Sequence, residues 1–298
     1  PDGDSLGSIA ALGLALEQLG METTCAMADK VPDKFAFLPG YNRFTSEIPE
    51  VWDLLVVLDC SEPQRLESLD WLLAKAPVIV NLDHHFSPQG GIGTYNYIKP
   101  ETASTGEIVL DLLDCLPITL TQEIAECLYT SISSDSGSFR YENTTPETFR
   151  KGARLLECGI PAARIGEHLF NEKPLISLRL LQIVLNRIQL SPNGELVWSH
   201  LQQKDLQEFG ALEEDAEGLI DYLRSIRGVE VALLFREVPS GEYRVNLRSR
   251  GKYSVREVAA HFGGGGHLRA AGCTLALPWL QVQEQVVKAM LNEMAKQI

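Results

Sequence analysis

Asp83-His84-His85 closes the apolar run Val78-Ile79-Val80-Asn81-Leu82. Adjacent histidines behind an aspartate are hard to account for as packing, because a buried imidazole needs partners for its nitrogens. Asp59 ends a second apolar run, Leu54-Leu55-Val56-Val57-Leu58, and Asp2-Gly3-Asp4 stands immediately ahead of a helical pattern. Asp135 lies in Ser133-Ser134-Asp135-Ser136-Gly137. Carboxylates brought together repel one another unless cations bind between them. Asp2, Asp4, Asp59 and Asp135 with His84 make an oxygen-rich set with one imidazole, which suits Mn²⁺ or Mg²⁺ better than a thiolate-preferring ion. Two such cations would balance four carboxylates and leave a neutral cluster able to accept a phosphate. Each aspartate also has a plain structural use. Asp2-Gly3-Asp4-Ser5 can be a turn with a helix cap, Asp59 a strand-end cap and Asp135 a turn cap.

A second constellation is Phe262-Gly263-Gly264-Gly265-Gly266-His267-Leu268-Arg269-Ala270-Ala271-Gly272. Successive glycines let backbone N–H groups converge on an anion and approach it closely. His267 and Arg269 would add charge-assisted hydrogen bonds. Between 244 and 269 six basic residues stand against one acidic residue, Glu257, in a chain of net charge −14. A flexible glycine loop beside a solvated strand face is the plainer alternative. The upstream Leu247-Arg248-Ser249-Arg250 and the attached His267 favour a phosphate site.

In open α/β sheets such sites lie at the carboxyl ends of the strands. The continuous apolar runs at 54–58 and 78–82 read as strands buried on both faces, hence a parallel sheet covered by helices. Leu6, Ile9, Leu12, Leu16 and Leu19 recur at helical spacing, with Ser5 as N-cap and Gly20 past the end. A short strand at 23–28 and helices at 104–114, 121–133 and 146–158 complete the first part. A helix at 176–188 reads as a connector. Beyond it the pattern predicts a strand at 195–199, helices at 203–209 and 215–226, and a hairpin of 229–238 with 243–250. A helix at 254–262, a strand at 273–277 and a long helix at 279–297 follow. The 298 residues, 45% hydrophobic and 22% charged, describe an ordinary two-domain globular chain and exclude disordered or fibrous classes. No run reaches membrane-helix length, and Pro1-Asp2-Gly3-Asp4 is no signal peptide. The acidic balance disfavours non-specific binding to long nucleic acid or anionic membrane. The six scattered cysteines read as reduced thiols, most of them buried, in a cytoplasmic protein.

Taken together, Asp83-His84-His85, Pro1-Asp2-Gly3-Asp4-Ser5-Leu6-Gly7-Ser8 and Gly263–His267 with Arg269-Ala270-Ala271-Gly272 resemble the DHH phosphoesterases and their accompanying DHHA1 domain. The stretch Val245–Gly272 is most similar to the bifunctional oligoribonuclease and 3′-phosphoadenosine 5′-phosphate phosphatase group. The resemblance implies an α/β fold with a parallel-sheet DHH domain (1–172), a connector helix (173–192) and a smaller mixed α/β DHHA1 domain (193–298). The active site would lie in a cleft between the domains. It implies two Mn²⁺, with Mg²⁺ as the other candidate. Asp2 would ligate one ion, Asp4 the other, Asp59 both, and His84 and Asp135 would complete the second. His85 would face the substrate phosphate and Asp83 would orient a histidine. Arg248, Ser249, Gly264, Gly265, Gly266, His267 and Arg269 would bind substrate, a small nucleotide or very short RNA. A homodimer is compatible with this reading. The rivals are a cyclic- or linear-dinucleotide phosphodiesterase and a non-catalytic nucleotide-binding module. The family pattern also places a metal-binding histidine, on its own strand, four residues before the aspartate matched by Asp2. Its absence predicts that the sequence is part of a longer protein and that the Asp2 ion position is weakly filled.

Overall fold

Asp2, in extended conformation, caps the first helix, α1 (Gly3–Glu17), by accepting from the N–H groups of Asp4 and Ser5. Ser5, expected as the cap, is instead the third helical residue, and its hydroxyl completes a reciprocal capping box with Asp2. The computed structural model describes residues 1–296. The chain divides into two units, Pro1–Glu172 and the remainder from Lys173 onward.

In the first unit, β1 (Cys25–Ala26) pairs in parallel with β2 (Phe44–Thr45). β3 (Leu55–Leu58), β4 (Ile79–Asp83) and β5 (Tyr95–Ile98) form a separate parallel sheet in that order, with Val57 beside Asn81 and Asn81 beside Asn96. The expected parallel sheet is present. β5 carries the exposed Tyr95 and Tyr97 and has no apolar run to announce it. Between the two sheets lies a groove of about 730 Å³, lined by Leu12 and Leu16 of α1, Cys25, Ala26, Val56 and Leu58 among others.

The helices are α2 (Trp71–Lys75), α3 (Thr105–Leu113), α4 (Gln122–Asp135), α5 (Pro146–Glu157) and α6 (Ala162–Gly166). The expected helices at 104–114, 121–133 and 146–158 thus appear with small shifts, and Asp135 is the last residue of α4 rather than beyond it. Leu6, Ala10 and Ala11 of α1 share a buried core with Ile108 and Leu110 of α3 and Leu128 and Ile132 of α4. Gly7 lets α1 and α4 meet, because a Cβ there would stand 2.4 Å from the Cys127 carbonyl oxygen. That close approach brings Asp4 and Asp135 toward one another.

The second unit opens with α7 (Leu175–Asn186), whose Leu180 and Val184 share a core with Val197, Leu201 and Leu223. β6 (Gln189–Leu190), β7 (Leu196–Leu201), α8 (Gln203–Phe209), α9 (Leu219–Arg224), β8 (Val231–Glu237) and β9 (Tyr243–Ser249) follow. α10 (Val255–His261), β10 (Gly265–Gly266), β11 (Ala270–Leu275) and α11 (Trp279–Ala295) complete it. The six strands run β10-β11-β9-β8-β7-β6, with β7 and β8 parallel and the other pairs antiparallel. Alternate residues of β8 supply two cores: Val231, Leu233 and Phe235 on one face, Ala232 and Leu234 on the other. The expected helix at 215–226 is broken. A 3₁₀ turn, Glu213–Ala216, precedes α9, and Gly218 at φ +73° separates them. The strand expected at 273–277 starts three residues earlier, where Ala270 pairs with Arg248. Residue 297, the expected end of the last helix, lies outside the described residues.

Candidate active site

Four elements deliver side chains to one point in the first unit. Asp59 directly follows β3; its N–H donates to the Leu82 carbonyl at 3.0 Å while its φ of +59° turns the chain out of the sheet. A left-handed conformation is unusual for a residue other than glycine, and such strain concentrates at functional sites. β4 ends in Asp83 and passes directly to His84 and His85. α1 supplies Asp4 from its first turn and α4 supplies Asp135 from its last.

Asp4 is fully buried and well bonded. Its Oδ2 accepts from Thr105 N–H at 2.8 Å, and its Oδ1 accepts from Gly106 N–H at 3.1 Å, Ser131 Oγ at 2.5 Å and Ser8 Oγ at 3.2 Å. Asp59 Oδ1 accepts from Thr105 Oγ1 at 3.1 Å. His84 Nε2 is buried without a hydrogen-bond partner. Yet Asp135 Oδ2, Asp4 Oδ2 and Asp59 Oδ1 stand 3.0, 3.5 and 3.7 Å from it. His85 Nδ1 lies 2.8 Å from Asp83 Oδ1 and 3.4 Å from Asp59 Oδ1. Ser61 Oγ donates to Asp83 Oδ2 from the other side.

Burial and crowding set the electrostatics of the cluster. Burial, then Asp59 and Asp135, pushes the Asp4 carboxyl well above the usual range, and burial raises that of Asp59. Burial lowers the His84 imidazole, but the Asp135 carboxylate outweighs it and the net direction is upward. Asp59 and Asp83 push His85 up to about 10. Asp83 moves the opposite way: burial opposes ionisation, but the bonds from His85 and Ser61 hold its carboxyl below the usual value.

Two groups of side chains are close enough to hold an ion each: Asp4, His84 and Asp135, and Asp59, His84 and His85. The donor set fits a hard divalent cation with some imidazole character, and the orphaned His84 Nε2 is aimed among three carboxylates. Four of the five expected ligands, Asp4, Asp59, His84 and Asp135, are therefore together. His85, expected to face substrate, falls within ligand distance as well. Asp2 belongs to neither group, and its Oδ1 accepts from the Asp4 and Ser5 N–H groups.

In the second unit, β11 brings Arg269 and Ala270 alongside Ser249 and Arg248 of β9. Ser249 N–H donates to the Arg269 carbonyl at 2.9 Å. His267 and Arg269 are exposed and Arg248 is partly so. Ser249 is fully buried and its Oγ accepts from Gly251 N–H at 3.0 Å, so it shapes this turn rather than facing solvent, against expectation. Packing accounts for two of the glycines. A Cβ at Gly264 would lie 2.1 Å from the Gly272 carbonyl oxygen, and one at Gly266 2.5 Å from that of Ala270. Gly265 pairs with Gly272 and stays exposed.

Sequence reasoning missed Thr105, Gly106, Ser131 and Ser8, the donors around Asp4. The signal available was Ser104-Thr105-Gly106-Glu107, whose S-x-x-E spacing marks a helix N-terminus and hence free N–H groups for an anion.

Fold and site define a DHH-type phosphoesterase with an acidic, histidine-containing centre. The chain matches the DHH family, N-terminal domain, over residues 1–132 and the DHHA1 domain over residues 199–298, and it belongs to that family. It is 35% identical over 303 residues to the bifunctional oligoribonuclease and PAP phosphatase NrnA of Thermus thermophilus, covering 99% of this chain and 88% of that protein. The protein of the same name from Mycoplasma pneumoniae is 28% identical over 279 residues, covering 92% of this chain and 85% of that protein. Among solved structures, an exopolyphosphatase-related protein from Bacteroides fragilis superposes with a TM-score of 0.89 at 26% identity, covering 99% of this chain and 89% of that one. Among the described residues, no helix is long and apolar enough to cross a membrane.

Proposed function

We propose that this chain hydrolyses short 5′-phosphorylated oligoribonucleotides and 3′-phosphoadenosine 5′-phosphate with two divalent cations, Mn²⁺ or Mg²⁺, at the acidic centre. The observation that carries the reading is the pair of ligand groups sharing His84. The relatives named as oligoribonucleases and PAP phosphatases support the substrate class. Asp4, His84 and Asp135 would hold one ion, and Asp59 would reach the second, with His85 beside it facing the substrate phosphate; the one lone pair of His84 Nε2 serves a single ion. The ions, when bound, supply the charge that activates water and stabilises the oxygens around phosphorus.

The chain's own residues do the rest. The Asp59 backbone turns out of the sheet and sets its Oδ1 3.7 Å from His84 Nε2 and 3.4 Å from His85 Nδ1. Asp83 orients His85 toward an incoming phosphate through the 2.8 Å contact with its Nδ1. Arg248, His267, Arg269 and the exposed backbone of Gly265 would bind a phosphate that is not cleaved, and binding energy from that group positions the scissile one.

The test is hydrolysis of pApA, 3′-phosphoadenosine 5′-phosphate and a cyclic dinucleotide, each with Mn²⁺ and with chelator. Turnover of the first two, abolished by chelator, is the expected result. Turnover confined to the cyclic dinucleotide would make the chain a cyclic-dinucleotide phosphodiesterase. Binding of all three without turnover would make it a nucleotide-binding module.

A further inference from the structure

We propose that Thr105 is a positioning residue that sets the separation of the two cation positions; the inference rests on the metal reading above. Thr105 is the first residue of α3 and is fully buried. Its N–H donates to Asp4 Oδ2 at 2.8 Å and its Oγ1 donates to Asp59 Oδ1 at 3.1 Å. Asp4 belongs to one ligand group and Asp59 to the other. One residue therefore grips a carboxylate from each group. The two grips are separated by only the N–Cα–Cβ–Oγ1 frame of a single side chain. A β-branched residue is stiff about χ1, so that frame has little freedom. Asp4 Oδ1 already takes three donors, so a cation would reach that carboxylate through Oδ2, where the Thr105 N–H leaves one lone-pair direction open.

The clip itself is anchored. Ser104 caps α3 by accepting from Glu107 N–H at 3.3 Å. Glu107, buried, accepts from Thr148 Oγ1 at 2.7 Å, and Lys151 Nζ donates to the Glu107 carbonyl at 3.0 Å and to Asp111 Oδ2 at 2.8 Å. Thr148 and Lys151 lie on α5, so a second helix fixes where α3 and Thr105 sit. Ser8 and Ser131 also donate to Asp4, from α1 and α4. They support that carboxylate from its own side of the cluster. Thr105 bonds across it.

The experiment compares the unchanged chain with Thr105→Val, which keeps the branched shape without the hydroxyl, and with Thr105→Ser, which keeps the hydroxyl. Mn²⁺ is titrated into each, followed by calorimetry and by the electron paramagnetic resonance of the bound ions. Melting is recorded in chelator. The unchanged chain is expected to bind two Mn²⁺ that couple magnetically. Thr105→Val should melt in chelator within a few degrees of it, bind the second ion roughly 10- to 100-fold more weakly and lose the coupled signal. Thr105→Ser should recover most of both. Should the valine variant not fold, Thr105→Ala carries the same comparison.

Thr105→Val that binds both ions and shows the coupled signal of the unchanged chain overturns the proposal and leaves the metal centre standing. Serine and valine variants that lose ion binding equally, with equally lowered melting in chelator, overturn it in favour of a folding role. An unchanged chain that takes up no Mn²⁺ overturns the metal reading and this inference with it.

Discussion

At the residue scale, Asp59 joins an unusual backbone to a carboxylate that both ligand groups approach. Asp59→Asn should lower turnover by more than the roughly 10- to 100-fold that loss of an outer partner costs, because an amide binds hard cations poorly. Asparagine tolerates the left-handed conformation, and removing one of the crowded charges relieves repulsion. Melting in chelator should therefore hold or rise, and activity at saturating Mn²⁺ equal to that of the unchanged chain would show that Asp59 is no ligand. His84→Ala and His85→Ala separate by role. His84 Nε2 stands among three carboxylates of the centre, so its loss should weaken metal binding, with partial recovery at high Mn²⁺. His85 has Asp83 as a second partner, so its loss should cost more rate than affinity; metal titrations showing equal loss of affinity would end that division. The pH dependence of the metal-free protein has one sign. His85 is raised from 6.5 to about 10, so its contribution is complete below the lower value and is lost as pH rises through the upper one. Asp4 and Asp59 are also raised, so their ionisation opposes folding as pH climbs past the usual carboxylate range. Thermal melts in chelator should fall between about pH 6 and about pH 9.5. Melts with Mn²⁺ should fall less, because ions bind the deprotonated ligands. A flat profile in chelator would contradict the cluster's electrostatics.

At the element scale, the helix start at Ser104-Thr105-Gly106 holds the centre together. A Cβ on Gly106 would stand 1.9 Å from Ser131 Oγ, so Gly106→Ala must push Ser131 away from Asp4. The expected cost is about 1–3 kcal/mol in denaturant unfolding, accompanied by weaker Mn²⁺ binding. Adding Ser131→Gly should restore stability but not ion affinity, since the space returns and the donor does not. What the sequence made legible follows from local chemistry. Two apolar runs ending in Asp59 and Asp83 announced buried parallel strands with their functional ends, and leucine periodicity announced α1. β5 escaped because Tyr95 and Tyr97 face solvent on an edge strand, where no burial pattern is imposed. The broken helix before α9 escaped because Gly218 acts through its backbone angle. The donors around Asp4 escaped because Ser131 stands 127 positions away from it and only the packing of α1 on α4 brings them together.

At the scale of the whole molecule, the two units carry two kinds of side chain, a carboxylate and histidine cluster in one and exposed arginine and histidine beside a glycine run in the other. Arg248→Ala and Arg269→Ala should each lower kcat/KM on pApA by about 10- to 150-fold, the value of one charge-assisted hydrogen bond at roughly 1.5–3 kcal/mol. Bis-p-nitrophenyl phosphate, with no second phosphate, should be little affected; equal losses on both substrates would assign the arginines to catalysis or folding. The groove of the first unit has a separate physical consequence. Leu55 and Asp59 donate their N–H groups to β4, and the alternation of a parallel ladder turns those of Val56 and Leu58 toward the groove instead. An unpaired row of this kind is a template for another extended chain. Amide exchange should thus alternate along a single strand, slow at Val57 and Asp59 and fast at Val56 and Leu58. Light scattering should rise with protein concentration as molecules adhere along that edge. Uniform protection from Val56 to Asp59, with scattering independent of concentration, would mean that the edge is already satisfied in solution.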